Sequence, residues 1–152
     1  MSQRPKAETV YAVEDYYDGP ESGFADFRDY PHRFEVTKEW INRDRTIRRF
    51  RLNPVGTELL RLALEQQQLW SRWNDSYRKG ELPNDLPYQE RALPGDLEAY
   101  RALQVRIDQC MAQSLGRSFY AEGRFFAGRR ATGFRALGEH LRVVWSRCRP
   151  DA

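Results

Sequence analysis

The sequence predicts an α+β domain, an antiparallel sheet of about five to six strands with two helices packed on one face, spanning residues 1–152 as a single domain. Three observations point there. Short runs of alternating apolar and polar residues, separated by Gly, Pro and Asp, fill the first third of the chain. The middle changes to a helical period, and the last third returns to strand character. Hairpins followed by helices and further hairpins favour an antiparallel sheet over a parallel one.

Thr9 to Tyr17 is rich in β-branched and aromatic residues and reads as the first strand, ended by the turn chemistry of Asp18-Gly19-Pro20. Gly23 to Arg28 follows as a second strand, and Asp29-Tyr30-Pro31 as a second turn. In His32 to Thr37, Phe34 and Val36 share one face while Arg33 and Glu35 share the other. Lys38 to Arg45 is irregular in pattern and contains Trp40; Thr46 to Leu52 then sets Phe50 and Leu52 opposite Arg49 and Arg51. Asn53-Pro54 has the form of a helix start, an acceptor followed by a proline whose missing N–H is tolerated in the first turn. From there Leu59, Leu62, Ala63, Trp70, Trp73 and Tyr77 make a stripe that ends at Gly80. Three prolines in 81–95 forbid a continuous helix, and a second stripe, Leu97, Tyr100, Leu103, Ile107, Cys110, Met111 and Leu115, begins near Asp96. The helices are expected to pair antiparallel. Ser118 to Phe126 and Leu141 to Arg147 supply the last two strands, and residues 1–8 and 149–152 are expected to be loose ends.

A chain of 152 residues with 40% hydrophobic side chains can bury a core without disulfides or metal. The two cysteines, Cys110 and Cys148, lie far apart and have no partner at zinc-ligand spacing, so reduced thiols are expected, with no cofactor and no metal. The polar opening and the lack of a long apolar run predict a cytoplasmic protein without a membrane span.

Net charge is +3 but uneven: residues 1–52 carry ten Lys+Arg against ten Asp+Glu, residues 53–98 five against eight, and residues 99–152 ten against four. In the basic last third, Arg117, Tyr120, Arg124, Phe126, Arg129, Arg130 and Arg135 interleave guanidinium groups with rings. That pattern suits phosphates and stacked bases; a half-buried strand with rings inward and arginines in water gives the same text. Trp70 and Trp73 beside Arg72 and Arg78 are the other candidate contacts, since Trp and Arg dominate interface energetics, although large rings at helical spacing are more often core. The glycines of the last third lack the phosphate-loop pattern.

Catalytic candidates reduce to His32 with Asp15 or Asp18, which adjacent antiparallel strands can bring together. No serine or cysteine stands in a nucleophile motif, and Asp18 is explained by turn formation.

The text Glu14-Asp15-Tyr16-Tyr17-Asp18-Gly19-Pro20, with Gly23, Ala25, Pro31-His32 and Phe34, then Leu64-Glu65, Trp70 and Arg72-Trp73, resembles a family of small uncharacterised bacterial hypothetical proteins. The resemblance covers roughly the first half of the chain. It implies a bacterial origin and a shared fold, and transfers no catalytic residue. The expected function is a non-enzymatic protein-interaction module, an accessory or immunity-like subunit; nucleic-acid binding through the last third is the alternative, and a hydrolase or metal-dependent enzyme around Asp15, Asp18 and His32 the third reading.

Overall fold

The computed structural model describes residues 6–16, 19–82, 91–113, 117–127 and 141–149. They form β1 (Ala7–Tyr16), β2 (Pro20–Phe27), β3 (Tyr30–Asn42), β4 (Arg45–Pro54), α1 (Thr57–Arg78), α2 (Leu97–Gln113), β5 (Phe119–Ala127) and β6 (Leu141–Cys148). The chain divides into two compact units, one of residues 1–57 with 114–152 and one of residues 58–113.

The first unit is a closed six-stranded barrel in which each strand is antiparallel to the next in sequence. Closure comes from β1 against β6, through Ala7↔Val144, Glu8↔Val143 and Thr9↔Arg142. This overturns the expected open sheet with two helices packed on one face. Alternation shows that a strand has an apolar face but not what covers it, and here the opposite wall of the barrel does so. Ala7 and Glu8, expected in a loose end, are part of that closure.

Phe34 of β3, Phe50 of β4, Phe125 of β5 and Trp145 of β6 meet in the barrel interior. All six pairs of these rings are in contact, with centroids 5.2 to 5.9 Å apart. Tilted and edge-on arrangements like these suit the ring quadrupoles. So narrow a barrel holds four large rings only where the facing positions are small. A Cβ on Gly123 would lie 2.4 Å from Trp145 Cζ3, and one on Gly23 would lie 2.1 Å from the carbonyl oxygen of Ala12. Val10, Ala25, Leu52, Ala121 and Val143 complete the interior, all at most 1% exposed. β2 is buried on both faces along most of its length.

Two hairpin turns have the same sequence and geometry. Arg28-Asp29 (φ 54° and 62°) closes β2 to β3 at Phe27↔Tyr30, and Arg43-Asp44 (φ 50° and 65°) closes β3 to β4 at Asn42↔Arg45. Positive φ at both central residues is the type I′ turn, whose twist matches the flanking strands. The Glu8 carboxylate accepts from the Asp29 amide at 2.9 Å and so supports the first turn. The expected turn at Asp29-Tyr30-Pro31 thus lies at Arg28-Asp29, with Tyr30 and Pro31 already in β3, and the stretch expected to be irregular, 38–45, is the end of β3, the Arg43-Asp44 turn and the start of β4. Pro31 is tolerated near its start, where its carbonyl accepts from the Val55 amide at 3.0 Å.

Asn53 and Pro54 do not start the helix; they stay in β4, opposite Arg33 and His32. α1 begins at Thr57. In the second unit Arg106 of α2 bonds Glu58 of α1 at 3.2 Å, Gln66 bonds Gln104 at 2.7 Å and Arg72 bonds Asp96 at 2.9 Å. Along α1 from Glu58 through Gln66 to Arg72 the partners fall from Arg106 through Gln104 to Asp96, so the helices run antiparallel, as their patterns suggested. Gly80, at φ 68°, follows the end of α1, as expected of a C-terminal stop. Among the described residues no helix is long and apolar enough to cross a membrane.

Candidate binding cleft

The β3–β4 hairpin produces the most distinctive surface. β2 pairs with β3 only as far as Ser22↔Glu35, and β4 pairs with β5 only as far as Arg49↔Glu122. The β3–β4 ladder continues past both limits to Asn42↔Arg45, with a register shift between Val36 and Lys38. The outer part of that hairpin is therefore a two-stranded ribbon, and at its root β4 and β5 part.

Alternation gives the ribbon two faces. On one, Lys38 Nζ lies 5.6 Å and the Arg49 guanidinium 5.4 Å from the Trp40 ring centroid, two cation–π contacts on one ring. On the other, Arg48 donates from Nε to Glu39 at 2.7 Å and from a terminal nitrogen to the Pro20 carbonyl at 3.2 Å. Arg48 is 8% exposed, so this charge is removed from water with its partners in place. It anchors the ribbon to the start of β2.

Beside the ribbon, against β5 and β6, lies a cleft of about 590 Å³. Arg43, Arg45 and Ile47 line it from the ribbon, and Glu122, Arg124 and Val144 from the barrel wall. The lining thus carries three arginines and a single carboxylate residue. Other arginines of the barrel are committed: Arg33 and Arg51 pair with Glu35, Arg48 with Glu39, Arg142 with the Thr9 hydroxyl, and Arg147 lies over the Phe119 ring. Among the described residues Arg43, Arg45 and Arg124 make no ion pair and lie over no ring.

The residues singled out in the sequence are placed as follows. His32 points into the end of the barrel between the rings of Phe27 at 5.7 Å, Tyr30 at 5.8 Å and Phe119 at 5.5 Å. Its Nδ1 lies 2.7 Å from the Tyr30 carbonyl. Burial pushes the imidazole below its ordinary pKa, against the opposing pull of that carbonyl and of Glu8 and Asp26. Asp15 is exposed and accepts from the Ser22 hydroxyl at 3.4 Å. It lies at the other end of the β2–β3 ladder, since Ser22 opposes Glu35 whereas His32 opposes Ala25. His32 and Asp15 are not brought together, and Asp18 lies outside the described residues. Among the described residues no group of three or more His, Cys, Asp and Glu has metal-site geometry.

Along β5 the alternation is regular. Phe119, Ala121 and Phe125 join the core, while Arg124 and Phe126 are exposed and Tyr120 is half-buried. Arg117 is exposed just before the strand. Arg129, Arg130 and Arg135 lie outside the described residues. Trp70 and Trp73 are half-buried on α1, with Trp73 stacked on the exposed Tyr77 at 5.4 Å. Arg124, singled out in the sequence, lines the cleft, as do Arg43 and Arg45, which the sequence reading did not single out. The signal for them was Arg43-Asp44 between the alternating runs Lys38–Asn42 and Arg45–Leu52, a hairpin without glycine.

No protein-family model matches the chain, and neither a curated protein nor a solved structure matches it.

Proposed function

We propose that this protein is a non-enzymatic protein-interaction module, an accessory or immunity-like subunit, in which the barrel is a rigid frame for the β3–β4 ribbon and the cleft beside it. The observation that carries this reading is the set of three uncommitted guanidinium groups, Arg43, Arg45 and Arg124, around a concave surface whose single carboxylate is Glu122. Arginine is enriched at interfaces because its planar fork recognises carboxylates in two bonds and sheds water more readily than an ammonium. Ile47 and Val144 give the same surface an apolar floor. The partner is then a protein with an acidic contact surface.

Replacing Arg43→p-benzoylphenylalanine and irradiating the source cells tests the assignment, with Arg61, exposed on α1, as the control position. A discrete protein adduct at position 43 that survives nuclease and is absent at position 61 is expected. Adducts that nuclease removes would instead assign the cleft to nucleic acid, and equal labelling at both positions would remove the interaction role of the cleft.

A further inference from the structure

We propose, resting on the interaction reading above, that the occupant of the cleft is an extended acidic peptide segment of the partner, added as a strand where β4 and β5 part. A closed barrel ordinarily leaves no free strand edge. Among the described residues this one has such an edge locally, because the β4–β5 ladder stops at Arg49↔Glu122 while β4 reaches back to Arg45 and β5 continues to Ala127.

The direction of the main-chain groups follows from the ladders. A two-residue turn makes Asn42↔Arg45 a hydrogen-bonded pair, so along β4 the polar groups of Arg45 and Ile47 face β3 and those of Thr46 face away from it. On β5 the same alternation, continued from the β4-paired Ala121, turns the amides and carbonyls of Gly123 and Phe125 toward the gap. No described residue pairs with those groups, and Thr46 and Gly123 both line the cleft. Two facing strand edges are a template for main-chain pairing, the basis of recognition by strand addition.

Side chains set what kind of strand fits. Arg45 and Arg124 project on the outer face, Arg43 stands at the turn, and Ile47 and Val144 lie between. A strand laid there presents every second residue to the guanidinium groups, which calls for Asp or Glu at alternate positions. Main-chain edges match a peptide rather than a nucleic acid, whose bases need exposed flat rings, and no aromatic residue lines the cleft.

The test is selection of a random ten-residue peptide display library on the full chain, followed by fluorescence anisotropy with the enriched peptides. Enriched peptides should carry Asp or Glu at alternate positions. Their affinity should fall at least tenfold in Arg43→Ala/Arg45→Ala/Arg124→Ala, and at least tenfold when alternate peptide amides are N-methylated. Thr46→Pro removes an amide that faces the gap rather than β3; it should weaken binding similarly while circular dichroism shows the barrel retained. Enrichment without acidic alternation, indifference to N-methylation, or displacement of the peptide by a single-stranded oligonucleotide at low salt would each overturn strand addition. A nuclease-resistant protein adduct at position 43, with no peptide that the triple variant loses, leaves the interaction reading standing and removes strand addition. Absence of both removes both.

Discussion

The indole N–H of Trp145, on β6, donates to the main-chain carbonyl of Asp26, on β2, at 2.9 Å, across two strands that are not neighbours in the barrel. The β1–β2 ladder ends at Val10↔Ala25, one residue short of Asp26, and the indole supplies the donor that β1 does not. Trp145→Phe keeps a ring among Phe34, Phe50 and Phe125 but leaves a buried acceptor unsatisfied. A loss of about 1–3 kcal/mol in urea unfolding is expected, with the m-value unchanged.

Gly123→Ala places a methyl group on the Trp145 ring and should cost about 1–3 kcal/mol through overpacking. Gly56→Ala, with nothing within 4 Å of the new atom, is the control and should leave the barrel's stability nearly unchanged. In Gly123→Ala/Trp145→Phe the smaller ring makes room for the methyl, so the double variant should lose less than the sum of the single losses.

His32 titrates in the folded chain below its ordinary 6.5 because burial disfavours the imidazolium. Between the folded and unfolded values the unfolded chain binds the extra proton, so stability from this group is present above about pH 6.5 and is lost as pH falls through the window below it. His32→Phe should flatten the pH dependence of chemical denaturation between about pH 7 and pH 5, and the His32 ring proton should titrate below 6.5 by NMR.

Tyr11 donates to the Asp26 carboxylate at 2.8 Å, and burial first, then that bond, pushes its phenol up to about 12. A raised phenol favours the folded state below the unfolded value near 10, and the contribution is lost as pH rises toward 12. Ultraviolet titration should show one phenolate appearing late, and Tyr11→Phe should remove that step.

Asp44 holds φ 65° at the tip of the ribbon, a conformation that costs an L-residue roughly 1–2 kcal/mol. Asp44→Gly relieves it, offset in part by the greater freedom of glycine in the unfolded chain. A gain of up to about 1 kcal/mol in thermal or urea unfolding is expected.

Much of the barrel was legible where alternation was strict. Phe34 and Val36 against Arg33 and Glu35, and Phe50 and Leu52 against Arg49 and Arg51, were assigned to the correct faces, because period two follows directly from the pleat. Closure was not legible, since it depends on Thr9 meeting Arg142 from the far end of the sequence, and neither residue carries a mark of its partner. The ribbon was hidden for a different reason: its turn is Arg-Asp rather than Asn-Gly, so the usual punctuation is missing. With the turn went Arg43 and Arg45, two of the three arginines that line the cleft. Asn53-Pro54 misled because a capping pattern is local, whereas the β4 ladder that keeps those residues extended involves Arg33 and His32.

Leu52 and Phe119 stand opposite each other in the β4–β5 ladder, yet the whole helical unit intervenes between them in the chain. Strands β1 to β4 need only short-range contacts and can zip together early, while β5 and β6 reach their places only after a long loop has closed. Barrel assembly should therefore be slow at its last step, with Phe125 and Trp145 among the final side chains to be enclosed. A four-stranded intermediate would present Phe34 and Phe50 to water, which makes the interval before closure the time of greatest exposure to aggregation.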